Sequence, residues 1–259
     1  MSKLEQQAVL LDELDSKVRA AYAKRGETIT VAALVGSGEA QCADCRDVGW
    51  LSFDVPVGDT NFGKVTACHC RTRRQADRMM HAIAGDTTRR YSFQAWRPSL
   101  NPIMEPAFVA AVEWATGNAV PWLVVIGPPG CGKSHLALSA VREHVAAGRT
   151  AAYYTAGQWL GLQKAAIGDE SLREQAGTAY ERVMYSQVVV IDDLGMQSDS
   201  AYNLERLEEI LVHRFQQGAM TMLTMNTPRV SDRVASRFTD KTMCKMVLCN
   251  TAKDVRGSL

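Results

Sequence analysis

The chain has 259 residues, 46% of them hydrophobic, and its 29 basic and 28 acidic residues nearly cancel. This length accommodates one large domain or two smaller ones, each with enough apolar residues to bury a core. The balanced charge excludes a protein whose overall field attracts nucleic acid, although it leaves room for local basic surfaces. No apolar run approaches the roughly 20 residues that span a bilayer. We therefore predict a cytoplasmic protein without a membrane partner, in which structural disulfides are not expected.

The first predicted element is an amphipathic helix from Leu4 to about Lys24. Its apolar residues recur every three or four positions, which is typical of a helix with one buried face. Acidic residues are mixed into this segment, and that composition is unlike a signal peptide.

Four of the seven cysteines form two close pairs: Cys42, Cys45, Cys68 and Cys70. Zinc prefers four sulfur or nitrogen ligands in a tetrahedron, and each pair of cysteines supplies two of them. Gly49 can adopt the positive φ that lets the chain fold back, and the segment between the pairs predicts a short hairpin or loop. We predict a zinc site at the four cysteines. Two alternatives stay open, namely four unrelated buried thiols and His69 in place of one cysteine.

A basic stretch follows the second cysteine pair. Residues 71–90 contain six arginines and two aspartates. A solvated helix face is the ordinary interpretation of such a stretch. The alternative is a surface that faces phosphates, formed by Arg71, Arg73, Arg74 and Arg78.

Three prolines between residues 98 and 106 predict a linker over 96–106. It would separate an N-terminal domain, 1–95, from a second domain, 107–259. In the second domain five short apolar runs alternate with helical segments, which predicts a parallel sheet with helices on both faces.

The segment from Gly127 to Ser134, GPPGCGKS, has the spacing of a phosphate-binding loop. Its glycines let backbone N–H groups turn toward a β-phosphate, Lys133 reaches the β- and γ-phosphates, and Ser134 holds Mg²⁺. The loop also follows an apolar strand and opens a helix. The residues expected to contact the nucleotide are Gly127, Pro128, Pro129, Gly130, Cys131, Gly132, Lys133, Ser134 and His135.

Polar residues stand at the ends of two later strands. Asp192 ends the run VVVID, where a carboxylate can join Ser134 in holding Mg²⁺, and Asp193 is placed to orient an attacking water. Asn226 ends the run TMLTMN, where its amide can reach the γ-phosphate or that water. An asparagine at a strand end is otherwise an ordinary turn residue.

Arg233 and Arg237 lie four residues apart on a predicted helix after the fourth strand. Salt bridging at the surface is the ordinary interpretation of such a pair. Their position in the chain favours a role near the nucleotide.

These motifs resemble those of AAA+ ATPases of the replicative helicase-loader type, such as DnaC and DnaI, with the transposition helper IstB as a relative. The resemblance runs over about 107–259 through GPPGCGKSH, VVVIDDLG, TMLTMNT, RVASRF and KDVRGSL. It implies Asn226 as sensor 1, Arg237 as an arginine finger that reaches the ATP of a neighbouring subunit, and Arg256 as sensor 2. Many AAA+ proteins carry glutamate where this chain has Asp193. The short tail after Asn250 implies that a separate helical lid is absent.

The resemblance also implies a function. Some loaders carry a zinc-bearing N-terminal domain that grips the hexameric helicase, and the two cysteine pairs are similar to that arrangement. We expect a slow ATPase with ATP or ADP, Mg²⁺ and Zn²⁺ as cofactors. It would self-associate through the ATPase domain, bind a hexameric DnaB-type helicase and place it on single-stranded DNA at replication initiation.

Three other functions stay open at this point. They are an IstB-like helper of DNA transposition, a DNA-binding module in which nucleotide only stabilises the fold, and a small-molecule P-loop kinase. A kinase has no use for an arginine from a second subunit. A non-hydrolysing module would keep its activity after Asp193 is changed.

Overall fold

The structure is a computed structural model. It describes residues 42–46, 48–52, 55–57, 59, 62, 64–68, 70–71, 74, 78, 80–81, 91–195, 200–227 and 230–255. The helix predicted over Leu4–Lys24 lies outside these residues, as do His69 and Arg256. Within the described part of the chain, no helix combines the length and the apolar character needed to cross a bilayer.

A small antiparallel hairpin joins the two cysteine pairs. Strand β1 (Trp50–Ser52) runs beside β2 (Val65–Ala67), with Trp50 opposite Ala67. Gly49 precedes β1 with a φ of +81°, the conformation that its position predicts. The hairpin expected between the cysteines is therefore present. The described residues from 70 to 81 that follow it are helical.

Five parallel strands form the larger sheet, as the alternation of strands and helices predicts. They are β3 (Trp122–Ile126), β4 (Ala151–Thr155), β5 (Val188–Leu194), β6 (Met220–Met225) and β7 (Cys244–Leu248). Their order across the sheet is β4-β5-β6-β3-β7. Strand β6 thus lies between the strand that precedes the predicted phosphate loop and the strand that contains the two aspartates.

Six α-helices surround this sheet in the described part of the chain. They are α1 (Glu105–Thr116), α2 (Lys133–Ala146), α3 (Ala156–Gly168), α4 (Arg173–Tyr185), α5 (Ala201–Gln216) and α6 (Asp232–Phe238). Several of these helices have a hydroxyl side chain at the N-cap. Thr155 and Gln158 form a capping box at α3, and Ser200 and Ser231 cap α5 and α6.

The sheet separates two hydrophobic clusters. Residues Leu123 and Val125 of β3 pack on the side of α1 and α2. Their neighbours Trp122, Val124 and Ile126 pack with α3 to α6 on the other side. Alternate residues of a strand point to opposite faces, so a strand covered on both faces is apolar throughout.

Arg214 is fully buried inside the larger domain. Its guanidinium donates to one hydroxyl and four carbonyl oxygens: Thr221 Oγ1, Val183 O, Met184 O, Ser186 O and Met220 O. These bonds tie the end of α4 to the start of β6. Burial lowers the pKa of Arg214 to about 10, so the side chain is still a cation at neutral pH.

The segment predicted as a linker, 96–106, contacts the hydrophobic core on one face of the larger sheet. Met104 is buried in the cluster of α1 and α2, and Met80 and Phe93 from earlier in the chain are buried there as well. Helix α1 begins at Glu105. The division of the chain into two domains at this segment stays a prediction.

Candidate nucleotide site and cysteine cluster

The predicted phosphate loop connects the end of β3 to the start of α2. Gly130 and Gly132 have φ values of +74° and +112°, which side chains with a Cβ rarely adopt. Helix α2 begins at Lys133, directly after the loop. The first N–H groups of a helix have no partner within it, and the positive end of the helix dipole lies there. The loop therefore has the backbone geometry of an anion site.

Lys133 is only 4% exposed. Its Nζ donates to Gly127 O at 2.8 Å, to Pro128 O at 2.9 Å and to Asn226 Oδ1 at 2.8 Å. The first two acceptors belong to the loop, whereas Asn226 follows β6. The structure thus brings together the predicted lysine and the predicted sensor at the carboxyl edge of adjacent strands.

Asp192 lies at the same carboxyl edge of the sheet and is only 1% exposed. The Tyr153 hydroxyl, from β4, donates to Asp192 Oδ2, and the Thr224 hydroxyl, from β6, donates to Oδ1. Burial and the negative charge of Asp192 raise the pKa of Tyr153, which keeps the phenol protonated as a donor. A fixed carboxylate beside a phosphate loop fits the oxygen chemistry that Mg²⁺ prefers.

Asp193 interrupts the regular pairing of β5. Ile191 pairs with Leu223 and Leu194 pairs with Met225, so two residues of β5 face one of β6 in a bulge. Asp193 has a φ of +54°, which is uncommon for a residue with a side chain. Its N–H donates to Thr224 Oγ1 at 3.1 Å. Strained backbone of this kind concentrates at functional sites and turns a side chain away from the regular strand direction.

Two segments from distant parts of the chain cover the loop. A Cβ at Gly132 would lie 2.7 Å from the Trp96 ring, and one at Gly130 would lie 2.0 Å from Asp254 Oδ1. Asn101 joins both segments to the loop, because its Nδ2 donates to Cys131 O at 3.1 Å and to Lys253 O at 3.0 Å. A side chain at 130 or 132 would therefore have to displace the Asp254 carboxylate or the Trp96 ring, in addition to adopting a positive φ.

His135 holds one of these covering segments in place. Its Nε2 donates to Ser92 O at 2.9 Å, and its ring meets Tyr91 and Trp96 edge to face. Burial lowers the pKa of His135, which favours the neutral ring. A direct contact of His135 with nucleotide stays a prediction.

The two arginines of α6 have different surroundings. Arg233 forms an ion pair with Glu208 at 2.9 Å. The Arg237 guanidinium lies 5.6 Å from the centroid of the Phe215 ring and donates to Arg233 O. Arg237 Nε is buried and has no hydrogen-bond partner among the described residues. Arg237 is thus held on its own subunit near the surface, and its predicted reach to a neighbour is a proposal.

The four paired cysteines meet in one buried cluster. Their sulfurs all lie within 4.8 Å of one another, with 3.7 Å between Cys42 and Cys68 and 3.1 Å between Cys45 and Cys70. Zn–S bonds of about 2.3 Å imply sulfurs about 3.8 Å apart in a tetrahedron. Gly49 N donates to Cys45 Sγ at 3.2 Å, which stabilises a thiolate there. The donor set fits zinc.

Without a metal, Cys68 and Cys70 would hold protons. Burial raises the pKa of the Cys68 thiol to about 11, and burial also raises the pKa of Cys70. At Cys45 burial opposes the thiolate, but hydrogen bonds from Cys70 and the Gly49 N–H outweigh it and lower the pKa to about 7. Zinc binds the thiolate, so metal binding must release protons here. All seven cysteines are among the described residues, and none of them forms a disulfide.

Several contacts of the site have no clear signal in the sequence. Tyr153 and Thr224 could have been suspected, because each lies near the carboxyl end of a strand beside β5 and so near Asp192. Asn101, Trp96 and Asp254 are distant in the chain from the loop that they cover. Only the folded chain brings them to it.

Comparison with solved structures supports the fold of the larger domain. AMPPCP-bound DnaA from Aquifex aeolicus has a TM-score of 0.52 at 17% identity, over 61% of this chain and 50% of that chain. Domain III of DnaA from Thermotoga maritima has a TM-score of 0.51 at 18% identity, over 61% and 67%. The DnaC helicase loader has a TM-score of 0.48 at 20% identity, over 63% and 98%. The matched part thus spans half the length of the Aquifex DnaA chain.

The sheet order and the phosphate loop are those of an AAA+ P-loop fold, as DnaA also has. No curated protein matches the chain. The family described as IstB-like ATP binding protein matches residues 67–252, well over half of the chain. The chain belongs to the family of IstB-like ATP-binding proteins.

Proposed function

We propose that this chain is an ATP-controlled loader, which binds a hexameric DnaB-type replicative helicase and places it on single-stranded DNA. The observation that carries the proposal is the meeting of Lys133, Asn226 and Asp192 at one edge of the sheet, beside the phosphate loop. This is the arrangement that an ATP-binding site needs. The motif resemblance to helicase loaders and the four-cysteine cluster supply the rest of the proposal.

The nucleotide site is proposed to act through its own side chains in the following way. Lys133 exchanges its two loop carbonyls for the β- and γ-phosphates, and the loop N–H groups hold the β-phosphate. Asp192 and Ser134 would hold Mg²⁺, which when bound neutralises charge on the phosphates. Asp193 orients the attacking water, and Asn226 keeps that water or the γ-phosphate in line.

Assembly is proposed to complete the site. Arg237 would leave its position over Phe215 and reach ATP that is held by the next subunit, where its charge stabilises the transition state. The bound nucleotide would then favour the assembly that holds a helicase ring, and hydrolysis would release it. Arg256, beyond the described residues, is proposed to contact the same nucleotide as sensor 2.

The cysteine cluster is proposed to build the helicase-binding domain. The hairpin of β1 and β2 has only two three-residue strands, and Leu51 is the partly buried hydrophobic residue that packs on its cysteines. So small a unit is marginal without a metal. Zinc would therefore act structurally, and the protein surface around it would recognise the partner.

The test is a loading assay with the replicative helicase of the host and circular single-stranded DNA. We expect the chain with ATP to leave more helicase on the circle than the helicase leaves alone, and Lys133→Ala to remove that gain. Asp193→Asn is expected to bind ATP without turnover. A chain that binds and hydrolyses ATP but leaves helicase retention unchanged would contradict the loader function.

The family match favours a second function, that of an ATPase helper in DNA transposition. Such a helper would bind duplex DNA in the presence of ATP and would need no helicase. Measuring ATP-dependent retention on duplex DNA without helicase separates the two functions. ATP-dependent duplex binding, together with no effect on helicase, would select the second.

A further inference from the structure

We propose that Trp50 and the arginine face that begins at Arg71 form a binding surface for single-stranded DNA. This surface, here called the Trp50 surface, consists of Trp50, Arg71, Arg74 and Arg78. The inference deepens the proposed loader function by assigning part of its DNA contact to the hairpin. Its DNA-binding measurement needs neither helicase nor hydrolysis, so its failure is distinguishable from failure of the loader function.

The hairpin presents Trp50 on its outer face. Trp50 is 43% exposed and its cross-strand neighbour Ala67 is exposed, as is Val65, opposite Ser52 on the same face. Leu51, between Trp50 and Ser52, packs instead against the cysteine cluster. Because alternate residues of a strand point to opposite faces, the cluster fixes which side of the hairpin is free.

Arg71 extends this face onto the following helical residues. Its guanidinium lies 4.2 Å from the centroid of the Trp50 ring. A cation at this distance is attracted to the ring and holds the indole in one orientation. The contact leaves an aromatic ring and a positive charge side by side at an exposed position.

Arg74 and Arg78 continue the positive charge in the same direction. They follow Arg71 by three and seven residues, the spacing of one helix face. Met80, nine residues after Arg71, falls half a turn away at about 100° per residue. It is buried in the core beside α1 and α2. The helical residues are thus held on the side of Met80, whereas Arg71 and Arg78 are exposed and Arg74 is half-buried.

This combination favours single-stranded DNA as the ligand. The three arginines extend over about 10 Å of helix at 1.5 Å per residue, which suits a run of phosphates. Stacking of a base on an aromatic side chain is worth about 1–3 kcal/mol and requires an unpaired base. Over residues 42–81 the sequence has six basic and five acidic residues, so the net charge of this segment selects no partner. The preference for an anionic ligand comes from the local run of Arg71, Arg74 and Arg78 beside Trp50.

The test measures binding of a dye-labelled oligo(dT) to the full zinc-loaded chain by fluorescence anisotropy at several salt concentrations. We expect Trp50→Ala to weaken binding roughly tenfold and Trp50→Phe to restore much of it, because phenylalanine keeps an aromatic face. Arg74→Gln with Arg78→Gln should lower the salt slope by about 0.7 for each phosphate contact that is lost. Arg173→Gln on α4, an exposed arginine far along the chain, is the matched control and should change nothing.

Three results would overturn the inference. One is unchanged oligo(dT) affinity in Trp50→Ala while zinc stoichiometry stays at the parent value. Another is an equal loss of affinity for oligo(dT) and for duplex DNA in Trp50→Ala, which would mean that the surface binds phosphates and stacks no base. The third is loss of helicase binding with intact DNA binding, which would assign the Trp50 surface to a protein partner.

Discussion

The sheet domain and the cysteine hairpin are stabilised in opposite ways. The sheet has two buried hydrophobic clusters, and its buried arginine, Arg214, donates five hydrogen bonds to groups of the same chain. The hairpin has four cysteines and the half-buried Leu51. The proposed nucleotide site thus stands on a scaffold with its own apolar core, whereas the surface beside the cysteines is proposed to depend on a bound metal.

The largest expected effect separates the two regions by removing zinc. Cys68→Ser should release about one zinc per chain and remove a contribution on the order of 10 kcal/mol, while ATP affinity stays unchanged. Zinc analysis, proteolysis of the hairpin and nucleotide titration measure the three quantities. Cys244→Ser is the matched control, since Cys244 is buried in β7 and should leave zinc in place. A parent protein that is purified without chelator and holds no zinc would contradict the metal assignment.

The next effect should appear only in the sheet domain. Lys133→Ala removes the cation of the phosphate loop and should weaken ATP binding by about 3 kcal/mol or more, which is about 100-fold. Calorimetry with a non-hydrolysable ATP analogue measures it, and zinc content should stay at the parent value. Parent-like ATP affinity in this variant would place the nucleotide elsewhere.

A smaller effect tests how Asp192 is positioned. Tyr153→Phe removes one hydroxyl donor to Asp192 and leaves Thr224 as the other. We expect the apparent affinity for Mg²⁺ in the presence of nucleotide to change about fivefold to thirtyfold, since one bond to a charged group contributes about 1–2 kcal/mol. Nucleotide affinity measured with EDTA is the control and should not move. An unchanged Mg²⁺ dependence would mean that Thr224 alone orients Asp192.

The smallest effect concerns the tail over the phosphate loop. The Asp254 carboxylate lies against Gly130, where it repels a phosphate. Asp254→Asn should therefore tighten ATP binding by about 1 kcal/mol, which is about fivefold at low salt and less at high salt. Asp232→Asn on α6 is a control of equal charge change away from the loop. Equal effects of the two substitutions would show that only net charge matters.

Much of the sheet domain could be predicted from the sequence, because its signals are local. Each apolar run such as Trp122–Ile126 is a strand, and the spacing from Gly127 to Ser134 specifies loop and helix start together. The cysteine spacing likewise predicted one cluster. The strands, the loop and each cysteine pair depend on residues within a few positions of one another, although the two pairs themselves lie 26 residues apart.

The remaining features arise from tertiary packing. The positive φ of Asp193 follows from a bulge that only the pairing of β5 with β6 creates. Asn101 donates hydrogen bonds to Cys131 O in the loop and to Lys253 O in the tail, and Lys253 lies 152 residues further along the chain. Residues 96–106 were predicted as a linker from their prolines, yet Met104 is buried in the core. Local composition does not report such contacts.

The central claim is that Lys133 and Arg237 work on the same ATP from different subunits. The most direct test mixes Arg237→Ala chains with Lys133→Ala chains and measures ATP hydrolysis. In an equal mixture, about one quarter of head-to-tail interfaces would combine an intact Lys133 with an intact Arg237. If the two residues act across an interface, ATP hydrolysis partly returns in the mixture, although neither variant hydrolyses ATP alone. A mixture that assembles and stays as inactive as its components would contradict it.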